Sequence, residues 1–139
     1  MKKHKIREFD TGATRDTNDN KPDPEGFLCP MVIRAYNDYM HGHRKQKDGV
    51  YRDADNWQKG IPKKVYLKSL WRHFLDLWSL MRGYRVIEAG NVLRVSDVCC
   101  AILFNVMGIL HEVLKEEAEL KFIDRRCKRN GKRRTSSAR

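Results

Sequence analysis

A lane of polar and small side chains interrupts the otherwise apolar stretch between Val98 and Leu114. Its members recur every three or four residues, which places them on one side of an α-helix: Asp97, Ala101, Asn105, Gly108 and Glu112. A buried amide or carboxylate without a partner costs roughly 1–3 kcal/mol, so these groups need polar partners or a ligand. The lane is therefore the first place in the chain where chemistry is expected.

A second polar edge, on the preceding predicted helix, could supply those partners through Arg72, His73 and Asp76. If the two edges meet, they form a pocket in which Arg and His bind a phosphate, or carboxylates hold a hard cation. The alternative is a structural Asn–Asp–His network that fixes how the two helices pair. The residue pattern alone favours the structural alternative.

The connector from Asp53 to Gly60 is the second candidate site. In it, Trp57 could stack on a base, Asn56 could hold the base edge, and Lys59 could touch a phosphate. The alternative is that Trp57 anchors the connector on the core while Asn56 forms a turn, and the pattern alone favours this anchor. The spacing His41-x-His43 offers no obvious third metal ligand and predicts a solvated helix end.

These residues require helices to position them, and the apolar periodicity predicts an all-α fold with three main helices. The first predicted helix begins at Pro30 and runs to about Met40. The second is opened by Pro62 and closed by Gly83, and its apolar side chains form one broad stripe. That stripe contains Leu67, Leu70, Trp71, Phe74, Leu77, Trp78 and Met81.

The third predicted helix begins after Ser96 as its N-cap and runs to about Arg126. It is apolar on nearly every side from Val98 to Leu114, which is typical of a central helix. Two shorter helices cannot cover such a surface, so a homo-oligomer is expected. A short β-hairpin is predicted around residues 89–91, and a long loop rich in turn-forming residues is predicted over residues 8–27.

The net charge of +11 is concentrated at the two ends of the chain. Residues 2–7 carry +4 and residues 121–139 carry +8, whereas residues 8–120 carry −1. The sequence therefore predicts a basic segment over residues 1–8, one helical domain over 9–123, and a basic, disordered tail over 124–139. Counterion release would let this tail bind nucleic acid without sequence specificity.

The cellular compartment is expected to be the cytoplasm, or the host cytoplasm if the chain is phage-encoded. Cys99 and Cys100 are adjacent within an apolar run and lack a CxxC spacing, so they are predicted to be buried thiols. No uninterrupted run of eighteen apolar residues occurs, and the basic start at Met1–Lys5 is not followed by an apolar stretch. These features predict neither a membrane span nor a secretory signal.

The order of several short motifs resembles a family of phage and prophage proteins, the dATP/dGTP diphosphohydrolase N-terminal domain family. The resemblance covers about residues 9–115. Its motifs are Phe9-Asp10-Thr11-Gly12-Ala13-Thr14-Arg15-Asp16-Thr17, Lys21-Pro22-Asp23, Asn56-Trp57-Gln58-Lys59-Gly60, Ser69-Leu70-Trp71-Arg72-His73, Asp97 with Asn105 eight residues later, and His111-Glu112.

This resemblance implies a helical domain of nucleotide metabolism that hydrolyses dGTP or dATP to the monophosphate and pyrophosphate with Mg²⁺. Asp76 and Asp97, with Glu112 as a third carboxylate, would hold the ion. His73 would be a general base or a phosphate ligand. The remaining contacts to the purine deoxynucleotide would come from Arg15, Lys21 and Arg72 at the phosphates, and from Asn56, Trp57, Lys59 and Asn105 in the pocket.

A comparison with the all-α MazG-type pyrophosphohydrolases leaves an alternative open. Those bundles hold Mg²⁺ through an ExxE on one helix and an ExxD on the next. The corresponding positions here read His73-x-x-Asp76 and Asp97-x-x-Cys100, so half of the carboxylates are missing. The alternative is therefore a module that binds or sequesters a nucleotide without hydrolysing it. A nucleic-acid accessory protein acting through the tail is a third interpretation.

Overall fold

The computed structural model describes the backbone of residues 6–16 and 22–136, with side chains for residues 6–14 and 22–125. The all-α prediction is confirmed, since helices account for 63% of the structure. The four helices are α1 (Pro24–Phe27), α2 (Pro30–Gly42), α3 (Lys63–Met81) and α4 (Val95–Ser136). The chain divides into two compact units, residues 1–33 and residues 34–139.

The N-terminal unit contains a small hairpin in place of part of the predicted loop. Strand β1 (Ile6–Glu8) pairs with the antiparallel strand β2 (Thr14–Asp16), and Gly12 occupies the left-handed region between them. The short helix α1 follows, and the carboxylate of Asp23 caps it by accepting from the Gly26 N–H at 3.1 Å. The prediction of one continuous loop over residues 8–27 is therefore wrong for these described segments.

Helices α3 and α4 pack against each other in antiparallel orientation and carry the candidate site. At one end of the pair, Lys63 Nζ lies 2.6 Å from Glu116 Oε2. At the other end, strands β3 (Ile87–Glu88) and β4 (Asn91–Val92) form the predicted hairpin. Its two turn residues, Ala89 and Gly90, both have positive φ angles, 49° and 82°, as a type I′ turn requires.

The core of this C-terminal unit lies along the polar lane of α4, not along its most apolar side. Val98, Ala101, Asn105 and Gly108 are buried, and so is Tyr66 of α3, which is 2% exposed and whose ring lies over Gly108. Cys100 is also buried, as predicted, whereas the neighbouring Cys99 is only partly buried. Small side chains on the lane allow α3 to approach closely, which the larger apolar residues elsewhere on α4 would prevent.

Helix α4 differs from the prediction at both ends. It begins at Val95, so Ser96 lies inside the first turn and is not the N-cap. It continues to Ser136, ten residues beyond the predicted end at Arg126. One part of it, Val95–Arg125, is long and apolar enough to cross a membrane by length and composition, and an apolar eighteen-residue window within it has a mean hydropathy of 1.7. Only 28% of that apolar window is buried, so the absence of a membrane span remains a prediction.

Candidate functional site

The lane of α4 holds the buried amide of Asn105, which is 4% exposed. Its Nδ2 group donates to the carbonyl oxygen of Ala101 at 2.7 Å, one turn earlier in the same helix. The amide is thus held by its own helix, with no described side chain of α3 hydrogen-bonded to it. This arrangement fixes the direction of the Asn105 side chain within the helix interface.

Tyr66 and Glu112 form a polar cluster on the lane that the sequence did not predict. The Tyr66 ring fits over Gly108, where an added Cβ would lie only 2.3 Å from two ring atoms. The Tyr66 hydroxyl and Glu112 Oε1 are buried and have no hydrogen-bond partner among the described residues. Burial raises the pKa of Tyr66, and the nearby Glu112 carboxylate acts in the same direction. The phenol therefore remains a donor at neutral pH, and both atoms have unused hydrogen-bonding capacity.

Asp97, at the other end of the lane, is held by an arginine that the sequence analysis missed. Arg94 donates to both carboxylate oxygens, with Nε at 2.9 Å and Nη2 at 2.8 Å. These hydrogen bonds lower the pKa of Asp97, and His43 acts in the same direction. Asp97 is consequently an ionised, bidentate partner of Arg94.

Two aromatic side chains of α2 and its end lie near Asp97. Burial raises the pKa of Tyr39 to about 12, and the charge of Asp97 adds to this effect. The Tyr39 and His43 rings are 4.0 Å apart, and His43 Nδ1 donates to the Tyr39 carbonyl at 2.8 Å. His41 and His43 are both exposed, as predicted for this helix end, although the His43 ring contacts the Tyr39 ring. The signal for this was the Tyr-x-x-x-His spacing, which puts both rings on one helix face.

His73 and Asp76 lie on α3, at the level of the N-terminal part of α4 that carries Asp97. His73 Nδ1 is 3.8 Å from Asp76 Oδ2, and both side chains are partly buried. Seven residues separate Tyr66 from His73, and seven also separate Gly108 from Ala101, so the antiparallel register sets His73 level with Ala101. Asp97 and Asn105 are then one turn away on either side.

The predicted ligands for one Mg²⁺ do not fit a single site. Asp97 and Glu112 are fifteen residues apart on the continuous helix α4, which separates them by about 22 Å. Asp97 is already held by two hydrogen bonds from Arg94. Among the described residues, no group of three His, Cys, Asp or Glu side chains could hold a metal ion. The shared site for Asp76, Asp97 and Glu112 is therefore corrected: Glu112 cannot join Asp97 around one ion.

Trp57 is seated against α4, which agrees with the anchoring interpretation of the connector. Asn56–Lys59 forms a 3₁₀ turn in which the Trp57 ring meets the His111 ring edge-on, with centroids 4.8 Å apart. His111 lies one turn beyond Gly108 on α4, so Trp57 borders the cluster of Tyr66 and Glu112. Lys59 is exposed and lies 3.8 Å from Asp53.

The three predicted phosphate ligands have different placements. Arg72 is exposed on α3 and donates to Ser69 Oγ at 3.1 Å. Arg15 lies in strand β2 of the N-terminal unit, where only its backbone is described, and Lys21 lies outside the described residues. Their contact with a nucleotide remains a prediction, as does nucleic-acid binding by the tail, whose side chains beyond residue 125 are not described.

Comparison of the chain with protein-family models, with curated proteins and with solved structures gave no match. The resemblance drawn from the short motifs therefore remains a prediction.

Replacing Asp97 with asparagine is expected to destabilise the chain by roughly 0.5–1 kcal/mol at neutral pH, a small effect because the pair is partly exposed. The folded-state pKa of Asp97 is lowered, so this stabilisation is present above the unfolded pKa and lost as the pH falls through the folded one. Urea unfolding should separate Asp97→Asn from the wild type at pH 7 but not well below pH 4, with Asp38→Asn on the exposed part of α2 as the control. A difference that persists unchanged in acid would contradict this account.

Proposed function

We propose that this chain binds a purine deoxynucleotide at the α3–α4 pair and acts in nucleotide metabolism. The observation that supports it is the pair of buried, unpartnered oxygens, Tyr66 Oη and Glu112 Oε1. A purely structural interface leaves few such groups unsatisfied, because each costs about 1–3 kcal/mol. A bound purine edge would offer both donors and acceptors to a phenol and a carboxylate.

The connector that carries Asn56 and Trp57 borders this cluster and would have to move to admit a base. The Trp57 and His111 rings meet in a T-shaped contact, and after such a movement a face of the Trp57 indole could stack on a purine. The exposed cation of Lys59 on the same turn would then accompany the phosphates. In this proposal the connector covers the two unpartnered oxygens of Tyr66 and Glu112 and also forms part of the binding site.

Binding is tested by calorimetry of the intact chain with dGTP, dATP and the pyrimidine triphosphates. The expected result is binding of a purine nucleotide that Tyr66→Phe weakens about three- to tenfold, the worth of one hydrogen bond. The variant should be at least as stable as the wild type, because it removes an unpartnered buried hydroxyl. Tyr84→Phe, at an exposed tyrosine of the connector after α3, is the matched control. Equal affinity of both variants, or no binding by the folded wild type, would refute the proposal.

Hydrolysis of the bound triphosphate is a second candidate, favoured by the pairing of His73 with Asp76 at 3.8 Å. A carboxylate beside an imidazole orients it as a general base. His73 would take a proton from a water that attacks the α-phosphorus. The bond from that phosphorus to the α–β bridging oxygen would break, leaving the monophosphate and pyrophosphate.

A screen of purine triphosphates with Mg²⁺ and with Mn²⁺ separates the two candidates. Pyrophosphate release that His73→Gln abolishes while nucleotide binding persists would support hydrolysis. Binding without pyrophosphate release in either metal would leave the sequestering module as the function. The engagement of Asp97 by Arg94 favours this simpler outcome.

A further inference from the structure

Helix α4 continues well beyond the end of the α3–α4 pair. Helix α3 begins at Lys63, whose ion pair with Glu116 marks where the two helices part, and α4 continues from there to Ser136. We call residues 117–136 the helical arm, which is about 30 Å long at 1.5 Å per residue. Every described side chain from Leu114 to Arg125 is exposed. The first half of the arm is therefore a helix that is open to solvent on all sides.

The basic residues of the arm concentrate on one side of the helix. At about 100° per residue, seven of the eight occupy an arc about 160° wide, which we call the basic arc. Its members are Lys121, Arg125, Arg126, Lys128, Arg129, Lys132 and Arg133. The eighth, Arg134, is placed about 80° beyond the edge of the arc. The helix thus gathers cations that are spread along the sequence onto one face.

This arrangement opposes the helix that carries it. Like charges four residues apart destabilise a helix, and the arc contains such pairs at Arg125 with Arg129 and at Lys128 with Lys132. The arm remains helical because lysine and arginine are themselves good helix formers. A polyanion lying along the arc would remove the repulsion, so its binding and the helix would stabilise each other.

We propose that the helical arm binds duplex DNA without sequence specificity, lying in the major groove with the basic arc towards the phosphates. The major groove of B-DNA is about 12 Å wide and admits an α-helix. An arc about 160° wide places cations towards the phosphate backbones on both sides of the groove, whereas a narrow stripe would reach only one. This activity is separate from the nucleotide site of the α3–α4 pair and does not depend on it.

Other polyanions fit the arm less well. Residues 124–139 contain no aromatic residue, and proteins that hold single strands stack the bases on aromatic side chains. The same residues contain no valine, isoleucine, leucine or methionine, so this basic segment has no apolar face to insert into a lipid surface. The major groove of an RNA duplex is too deep and narrow to admit the arm.

Fluorescence anisotropy of the full chain with a labelled DNA duplex of about 20 base pairs tests binding across a range of salt concentrations. Micromolar affinity is expected near 0.1 M salt, with a slope of log K against log salt of about −4 to −6, because five to seven phosphates are neutralised. No binding, or a slope shallower than about −2, would overturn the proposal. So would equal or tighter binding to the single strand, to an RNA duplex or to phosphatidylglycerol vesicles.

Two arginines of the arm provide a matched pair of variants. Arg129→Gln, within the arc, and Arg134→Gln, outside it, each remove one charge and retain a good helix former. Arg129→Gln should weaken duplex binding about three- to tenfold near 0.1 M salt and make the slope shallower by about 1. Arg134→Gln should weaken binding less than about twofold. Equal losses would show that total charge matters and the arc does not, which would overturn the proposal.

A substitution at Cys127 tests whether the arm acts as a helix. Cys127→Pro breaks the helix in the middle of the arc without changing its charge, and Cys127→Ala keeps both the helix and the charge. The proline variant should lose at least about fivefold in duplex affinity, while the alanine variant should bind like the wild type. Thermal unfolding of the rest of the chain should be the same in both. Equal affinity of the two variants would indicate a flexible polycation and would overturn docking of a helix.

Discussion

Replacing Gly108 with alanine is expected to destabilise the chain by about 2–3 kcal/mol, although alanine is the better helix former by about 1 kcal/mol. The new methyl group would lie 2.3 Å from Cε1 and Cζ of Tyr66, far inside van der Waals contact. Tyr66 is 2% exposed and has no free space to move into, so either its ring or the helix pair must shift. The clash therefore outweighs the gain in helix propensity.

Urea unfolding followed by circular dichroism measures this effect. Gly42→Ala at the end of α2 is the matched control, because nothing lies within 4 Å of the position of its added Cβ. The control should be neutral or slightly more stable than the wild type. If Gly108→Ala proves as stable as Gly42→Ala, the close packing of Tyr66 on α4 is incorrect.

Replacing Asn105 with aspartate is expected to cost about 2–4 kcal/mol at pH 7. Asn105 is 4% exposed and its Nδ2 donates to the Ala101 carbonyl. A carboxylate there loses the donor, places its charge against a carbonyl oxygen, and has no described cation to pair with. The isosteric shape makes charge the main difference between the two side chains.

The stability of Asn105→Asp is also expected to depend on pH, which provides a second measurement. Burial raises the pKa of a carboxyl group, so the variant should approach wild-type stability as the pH falls towards the unfolded value near 4. Above that value the penalty grows with pH until the folded carboxyl is fully ionised. The exposed Asn37→Asp on α2 should change stability little at any pH. A small, pH-independent cost at position 105 would mean that water reaches the lane.

Much of the fold could be predicted because local patterns determine it. Pro30 and the periodic stripe of α3 located two helices, and the turn residues near Gly90 located the hairpin between α3 and α4. The lane from Ala101 to Gly108 was recognised as one helix face, and the structure buries that face. The end of α4 was misjudged because the basic residues after about Arg126 were interpreted as a tail, whereas lysine and arginine are good helix formers.

The site was less predictable, since it depends on which side chains meet across elements. Tyr66 belongs to the interior although it is absent from the apolar stripe of α3, and only the register with Gly108 reveals this. Arg94 was overlooked because it lies just before the first residue of α4. Its hydrogen bonds to the Asp97 carboxylate depend on the geometry of this helix start. The shared metal site failed for a simpler reason: a lane on one helix extends along its axis, and residues far apart in the lane never converge.

The type I′ turn between β3 and β4 has a consequence for the order in which this unit folds. It joins the adjacent ends of α3 and α4, so contacts near the turn close short loops, whereas Lys63 and Glu116 close a loop of more than fifty residues. Helix pairing can therefore proceed from the turn outward, each step adding little closure entropy. A substitution that disfavours the positive φ angle at Ala89 would slow folding. Loss of the Lys63–Glu116 pair would mainly accelerate unfolding. Helix pairing would then advance along the polar lane, so that Asn105 becomes buried before Glu112.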